Sequence, residues 1–157
     1  MTAPADDADV AEVTLSRSIA APRALVWQAW TEPSHLARWW GPNGFTVPVC
    51  DIDVRPGGAL AIVMRAPDGT EYLMKGCYRE VERLSRLAYS FQACDADGRV
   101  ALDGHTIVTF SDDQGGTQLV IHSRATALVA HARRMLDGME AGWTQSIDRL
   151  ARLMTAP

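Results

Sequence analysis

Between residues 45 and 125 six strand-like runs follow one another with almost nothing between them. They read FTVPVCDIDV, ALAIVMRA, EYLMKGCYREVE, RLAYSFQA, HTIVTFS and TQLVIHSR. The breaks are RPGG, PDG, DADGR and DDQGG, with VERLSRL carrying the chain from the third run into the fourth. Pro-Gly, Asp-Gly and Gly-Gly are hairpin signals. A parallel pair needs a crossover of a dozen or more residues, so strands joined this tightly are antiparallel neighbours. This stretch therefore predicts an antiparallel meander.

The flanks are different. Residues 13–19, VTLSRSI, alternate apolar and polar and predict a half-buried strand. AAPRALVWQAW places Pro22 at a helix start, with Val26, Ala29 and Trp30 on one face at i, i+3 and i+4. TEPSHLARWW reopens at Pro33 as a second short helix, and GPNG stops it. From about residue 128 to 154, Met135, Met139, Trp143, Ile147 and Leu150 recur every four, four, four and three residues, one apolar stripe of a long helix. Gly138 and Gly142 lie on or beside that stripe. Glycine weakens a helix, so their presence implies a kink or a closely approaching backbone. The expected order is a strand, two short helices, six more strands and a long helix, an α+β single domain over residues 12–155 preceded by a disordered tail at 1–11. A straight helix against a curved sheet of about seven strands leaves space between the two layers.

Charge and composition narrow the function. The net charge of −4 argues against a nucleic-acid partner, which calls for a basic face. No apolar run approaches the roughly 20 residues of a membrane helix, so no membrane insertion is expected. MTAPADDAD lacks the basic start and apolar stretch of a secretory signal. Cys50, Cys77 and Cys94 are odd in number and widely spaced. They read as free thiols in a reducing cytoplasm, not as a disulfide framework or a metal motif. Cys77, between the inward positions 76 and 78, should point to the outer face.

A search for catalytic motifs is unproductive. There is no G-x-S-x-G, phosphate loop, G-x-G-x-x-G or H-E-x-x-H. His35, His105, His122 and His131 show no metal spacing, and they read as surface or satisfied histidines. Asp51 and Asp53 share a strand side and have Arg55 at hand; Glu80 and Glu82 have Arg79 and Arg83. No catalytic residue, metal or cofactor is assigned. Arg17 stands apart, on the inward phase of Val13, Leu15 and Ile19. An inward arginine needs a carboxylate, backbone carbonyls or an anionic ligand, and Arg17 is the candidate polar handle.

The apolar and aromatic residues carry more information. All five tryptophans fall in two places: Trp27, Trp30, Trp39 and Trp40 in the helix pair, and Trp143 in the last helix. Met64, Met74, Tyr78, Tyr89, Phe91, Val108, Phe110, Leu119 and Ile121 fall on inward strand phases. Met and aromatic residues build cores and also line adaptable pockets. The expected ligand-binding set is Trp27, Trp39, Trp40, Met64, Met74, Tyr78, Phe91, Phe110, Met139 and Trp143.

The ordered series APRALVWQAWTEPSHLARWWGPNGFT, DVRPGG, PDG, KGCYREV and MEAGWTQSIDRLARLM resembles the SRPBCC superfamily, the START-like or helix-grip proteins that include birch-pollen allergens. Its nearest branch is the group named after the activator of heat-shock protein 90 ATPase. The likeness runs from about Val13 to Met154. WWGP, RPGG and AGW in that order are specific, whereas VERLSRL lacks a proline that relatives often carry. The resemblance implies a helix-grip fold with a deep apolar cavity and transfers no catalytic set. Its members bind lipids, sterols, polyketides or antibiotics, and some cyclise polyketides. The reading is a cytoplasmic protein that binds a hydrophobic small molecule without chemistry of its own. Two alternatives are an enzyme of the polyketide cyclase or hydrolase type, and a co-chaperone-like interaction module. Open sheet edges also leave room for a homodimer.

The pair Trp39–Trp40 sharpens the picture. Adjacent helical residues point roughly 100° apart, so one face cannot hold both indoles. One should pin the short helices to the sheet, and the other should sit at the cavity mouth.

Overall fold

The computed structural model describes residues 9–155. Of the stretch expected as a disordered tail, residues 1–8 lie outside the described residues, whereas Val10 and Ala11 already belong to the first strand. The order is β1 (Val10–Ile19), α1 (Arg23–Thr31), α2 (Pro33–Leu36), β2 (Thr46–Ile52), β3 (Ala59–Arg65), β4 (Glu71–Glu82), β5 (Arg86–Cys94), β6 (Val100–Asp113), β7 (Gly116–Ala127), α3 (Arg133–Asp137) and α4 (Met139–Thr155). The seven strands form one antiparallel sheet in the order β1-β7-β6-β5-β4-β3-β2. β2 to β7 are thus the predicted meander, and β1 joins it alongside β7. β6 starts five residues earlier than the HTIVTFS run indicates, because Val100–Gly104 also pair with β5.

Two in-register rows define the inner face of the sheet. One runs Leu60–Gly76–Phe91–Gly104–Ala125 from β3 to β7. Both cross-strand neighbours of Phe91 are therefore glycine. A Cβ on Gly104 would lie 2.8 Å from the Phe91 ring and 2.2 Å from the Arg124 carbonyl; one on Gly76 would lie 1.9 Å from the Ser90 carbonyl. Only glycine permits this curvature, and the Phe91 ring lies across the bare backbone. The next row is Tyr78–Tyr89–Thr106–Ser123–Val13.

The C-terminal segment departs from a single helix over 128–154. A 3₁₀ turn at Ala130–Ala132 leads into α3, and Gly138 separates α3 from α4. The kink implied by the stripe glycines falls at Gly138, whose N–H caps the Arg134 carbonyl. α4 buries Ser146, Ile147 and Leu150.

The WWGP turn is bolted onto α4. Ser146 Oγ donates to the Gly41 carbonyl at 2.9 Å and accepts from the Gly41 N–H at 3.1 Å. Arg149 Nη1 donates to the carbonyls of Trp39 and Gly41, and its Nη2 donates to Asn43 Oδ1. The Asn43 N–H donates to Gln145 Oε1. Gly41 itself sits at φ +102°, a conformation side-chain-bearing residues rarely take.

Ser146→Ala leaves the buried Gly41 N–H without its partner, while Arg149 still donates to the Gly41 carbonyl, and α4 keeps a good helix former at that position. Orphaned buried backbone groups cost about 1–3 kcal/mol. Urea unfolding should show a loss in that range, with an unchanged m-value.

Candidate functional site

A cavity of about 420 Å³ lies between the sheet and the α3–α4 segment. Its floor comes from β3 to β7, its roof from Met135, Met139, Gly142 and Trp143, and one side from the WWGP turn through Trp40, Gly41 and Pro42. The row of small residues on the sheet explains why the space exists. Gly76 and Gly104 flank Phe91 and let its ring lie against the sheet, and Ala125, next in the row, sends no bulky side chain toward the helix. The roof is held off the sheet by the aromatic stack at one end and by a polar tie at the other.

Of the ten expected ligand-binding residues, Trp40, Met64, Met74, Phe91, Met139 and Trp143 come together on the wall. Trp27, Trp39, Tyr78 and Phe110 do not border the cavity. Trp39 is fully buried and donates from its indole N–H to the Ala29 carbonyl at 3.0 Å, pinning α2 to α1. Trp40, half-buried, faces the cavity. The two adjacent indoles take different roles as expected, although they lie in the turn after α2 and their rings remain in contact at 5.6 Å. Trp27 packs edge-on against Phe110 at 5.2 Å beneath α1, in the core beside the cavity. Tyr78 is buried against Tyr89, one row further from the opening than Phe91.

The aromatic end is a single cluster. Trp30 packs against Trp39 at 4.7 Å, Trp40 at 6.3 Å and Phe110 at 6.2 Å, and stacks on Trp143 at 6.2 Å. Its buried indole N–H has no hydrogen-bond partner among the described residues; the faces of these rings are the acceptors at hand. Trp143 therefore meets the short helices as much as the sheet, in addition to roofing the cavity.

Arg17 finds its partner on α4, where Nη1 binds the Asp148 carboxylate. The ion pair ties β1 to α4 outside the cavity wall, so the inward arginine is structural. Cys77 is directed away from the cavity, as its strand phase indicates, whereas Cys94 is buried on the cavity wall. Burial, with Asp51 adding to it, pushes the Cys50 thiol up to about 11, which keeps it protonated and unreactive at neutral pH. Burial likewise raises the Tyr78 and Tyr89 phenols, with a Thr106 hydrogen bond opposing the shift in part at Tyr89. Among the described residues no three His, Cys, Asp or Glu side chains gather as a metal site.

Sequence reasoning missed the polar parts of the site. Thr106 and Ser123 share a 2.8 Å hydroxyl bond on the cavity floor, both fully buried. Their strand phase, in register with Tyr89, was the available signal. His131 is more than half exposed and hydrogen-bonded, its Nε2 lying 2.8 Å from Asp95 Oδ2, in line with a surface or satisfied histidine; its partner Asp95 carried no signal in the sequence. Asp95 Oδ1 also accepts from the N–H groups of Asp97 and Arg99. This pair ties the segment before α3 to the β5–β6 turn, next to the wall residue Cys94.

Comparisons with known proteins agree with this geometry. The sequence profile described as Activator of Hsp90 ATPase homolog 1-like protein matches residues 20–155, and the chain belongs to that family. Among solved structures, a protein of Mycobacterium smegmatis is 28% identical, with a TM-score of 0.76 over 96% of this chain and 94% of that one. A protein of Nitrosomonas europaea is 27% identical, TM-score 0.74, over 94% and 95%. The AHSA1 protein of Silicibacter pomeroyi is 25% identical, TM-score 0.75, over 91% and 96%. No curated protein matches the chain.

The hydrogen bond from His131, followed by those from the backbone, holds the Asp95 carboxyl below its usual pKa. A carboxylate lowered on folding stabilises the protein above its unfolded pKa of about 3.9, and the contribution disappears as pH falls through the folded value. Asp95→Asn should therefore be less stable than the parent at neutral pH, with the gap narrowing as pH drops below about 4. Urea midpoints across that acid range measure it.

Proposed function

We propose that the chain binds a hydrophobic small molecule in the cavity and performs no chemistry on it. The observation that carries this reading is the cavity itself: about 420 Å³, walled by methionine, aromatic and small apolar side chains with few polar groups. Ligand sites have this size and this sparse polarity. Methionine and Trp walls adapt to different shapes, which suits capture better than a fixed reaction geometry.

The enzyme reading needs paired acid–base or nucleophilic groups on the wall. The titratable wall residues are Tyr72, Tyr89, Cys94 and Arg134, and Tyr89 is held protonated by burial. Arg17, the candidate polar handle, does not border the cavity. The interaction-module reading needs a broad exposed apolar patch. Leu25, Val49, Leu73 and Leu128 are exposed but scattered, and only Val49 and Leu73 share a row, through Val63. Three free thiols support a reducing compartment such as the cytoplasm.

Ala93 sits half-buried on the wall, so Ala93→Phe projects a ring into the void. Apolar probes such as 1-anilinonaphthalene-8-sulfonate and decanol should raise the parent's melting temperature by mass action and quench emission from Trp40 and Trp143. The filled variant should keep or gain stability and lose the response. Equal response from both proteins places binding outside the cavity and removes the proposal.

A further inference from the structure

Accepting that the cavity binds a small molecule, we infer that its natural ligand is an organic anion, an apolar body bearing a carboxylate or comparable oxyanion that docks on Arg134. The inference rests on the sign and direction of the polar groups that the wall presents.

Arg134 is the one formally charged side chain on the cavity wall. It is exposed at the rim and makes no ion pair or hydrogen bond among the described residues. Its neighbours are otherwise employed. Arg133 binds Asp9, His131 binds Asp95, Arg149 holds the WWGP turn and Arg17 holds Asp148. Asp137 and Glu140 flank Gly138 in sequence but do not border the cavity, and Asp95 is engaged by His131 and two backbone N–H groups. In a chain of net charge −4, the opening of an apolar cavity thus carries a single cation with no counter-ion among the described residues.

The floor has the same polarity of demand. Thr106, Ser123 and Tyr89 have three hydroxyl hydrogens between them, and the Thr106–Ser123 and Thr106–Tyr89 bonds use two. The third is a donor on the cavity wall. Among the described residues no carboxylate borders the cavity to receive a cationic or donor-rich guest. Donors at both the rim and the floor select a ligand rich in oxygen acceptors. A guanidinium recognises a planar oxyanion through two parallel hydrogen bonds, which an ammonium or alcohol guest cannot accept.

The test uses three probes with one tail: decanoate, decanol and decylamine, at pH 7.5 and low salt, read by tryptophan quenching and thermal shift. The wild-type protein should bind decanoate more tightly than decanol and bind decylamine worst. Arg134→Gln should weaken decanoate roughly three- to tenfold, as for a partly exposed ion pair, and leave decanol within twofold. Arg134→Glu should reverse the order in favour of decylamine. Arg133→Gln, which removes a neighbouring charge outside the wall, should change none of the three. If all three probes bind alike and Arg134→Gln leaves them so, the cavity reading stands and this inference falls. If Arg133→Gln acts as strongly as Arg134→Gln, the preference is one of general surface charge and the assignment to Arg134 is overturned. If no probe binds the wild-type chain, the cavity reading and this inference fail together.

Discussion

The reciprocal bond between Ser146 and Gly41 is the joint from which the rest of the domain takes its geometry. It joins the turn after α2 to α4 on the helix side of the sheet. With Arg149 and Gln145 it satisfies the backbone of the WWGP turn from three side chains of one helix. The turn in turn fixes Trp39, which holds α1, and Trp40, which closes the side of the cavity. Buried polar groups are costly unless paired, so this arrangement has few alternatives of similar energy. It sets the position of α4 where apolar contact alone would leave the helix free to slide or settle onto the sheet.

Much of this was readable in advance because it follows from local periodicity. The hairpin signals gave a meander, and the face of Val26, Ala29 and Trp30 is the buried face of α1. Trp39 and Trp40 take different environments, but in the turn after α2, which ends at Leu36, and not within the helix from which the expectation was argued. Other features depend on partners distant in sequence. That Arg17 meets a carboxylate was foreseeable from its inward phase, but that the carboxylate is Asp148 depends on how α4 crosses β1. Phe110 and Tyr78 sit on the same inward phase as Phe91, yet only Phe91 borders the cavity. Strand phase reports which face a residue occupies and not how far along the strand the helix lifts away.

Ser146 and Arg149 illustrate a different blindness. A serine beside Ile147 in an apolar stripe looks like a flaw in the pattern, and the arginine looks like solvent-facing charge. They are the clamp. Gly138 was visible as a weak point, but a kink and a close backbone contact were equally consistent with it. The structure chooses the kink, and Gly142 makes only ordinary contact with Pro42 at 3.8 Å.

The energetic consequence of the void bears on why the clamp is polar. At roughly 24 cal/mol per Å³, a dry and unrelaxed cavity of about 420 Å³ would cost about 10 kcal/mol, comparable to the whole stability of a domain. A helix held by apolar contact alone would recover part of that by collapsing onto the sheet. Collapse here would break the directional bonds at Gly41, Trp39 and Asn43 and the ion pair at Asp148. Hydrogen bonds tolerate little misalignment, so they resist a movement of a few ångströms that van der Waals contacts would reward. The same logic explains why the cavity is open at the Arg134 rim, where water or a ligand can relieve the cost of empty space. Sheet glycines let Phe91 lie flat, polar bonds from the middle of α4 keep the roof from falling, and Arg134 on α3, with no partner among the described residues, is left to meet whatever fills the cavity.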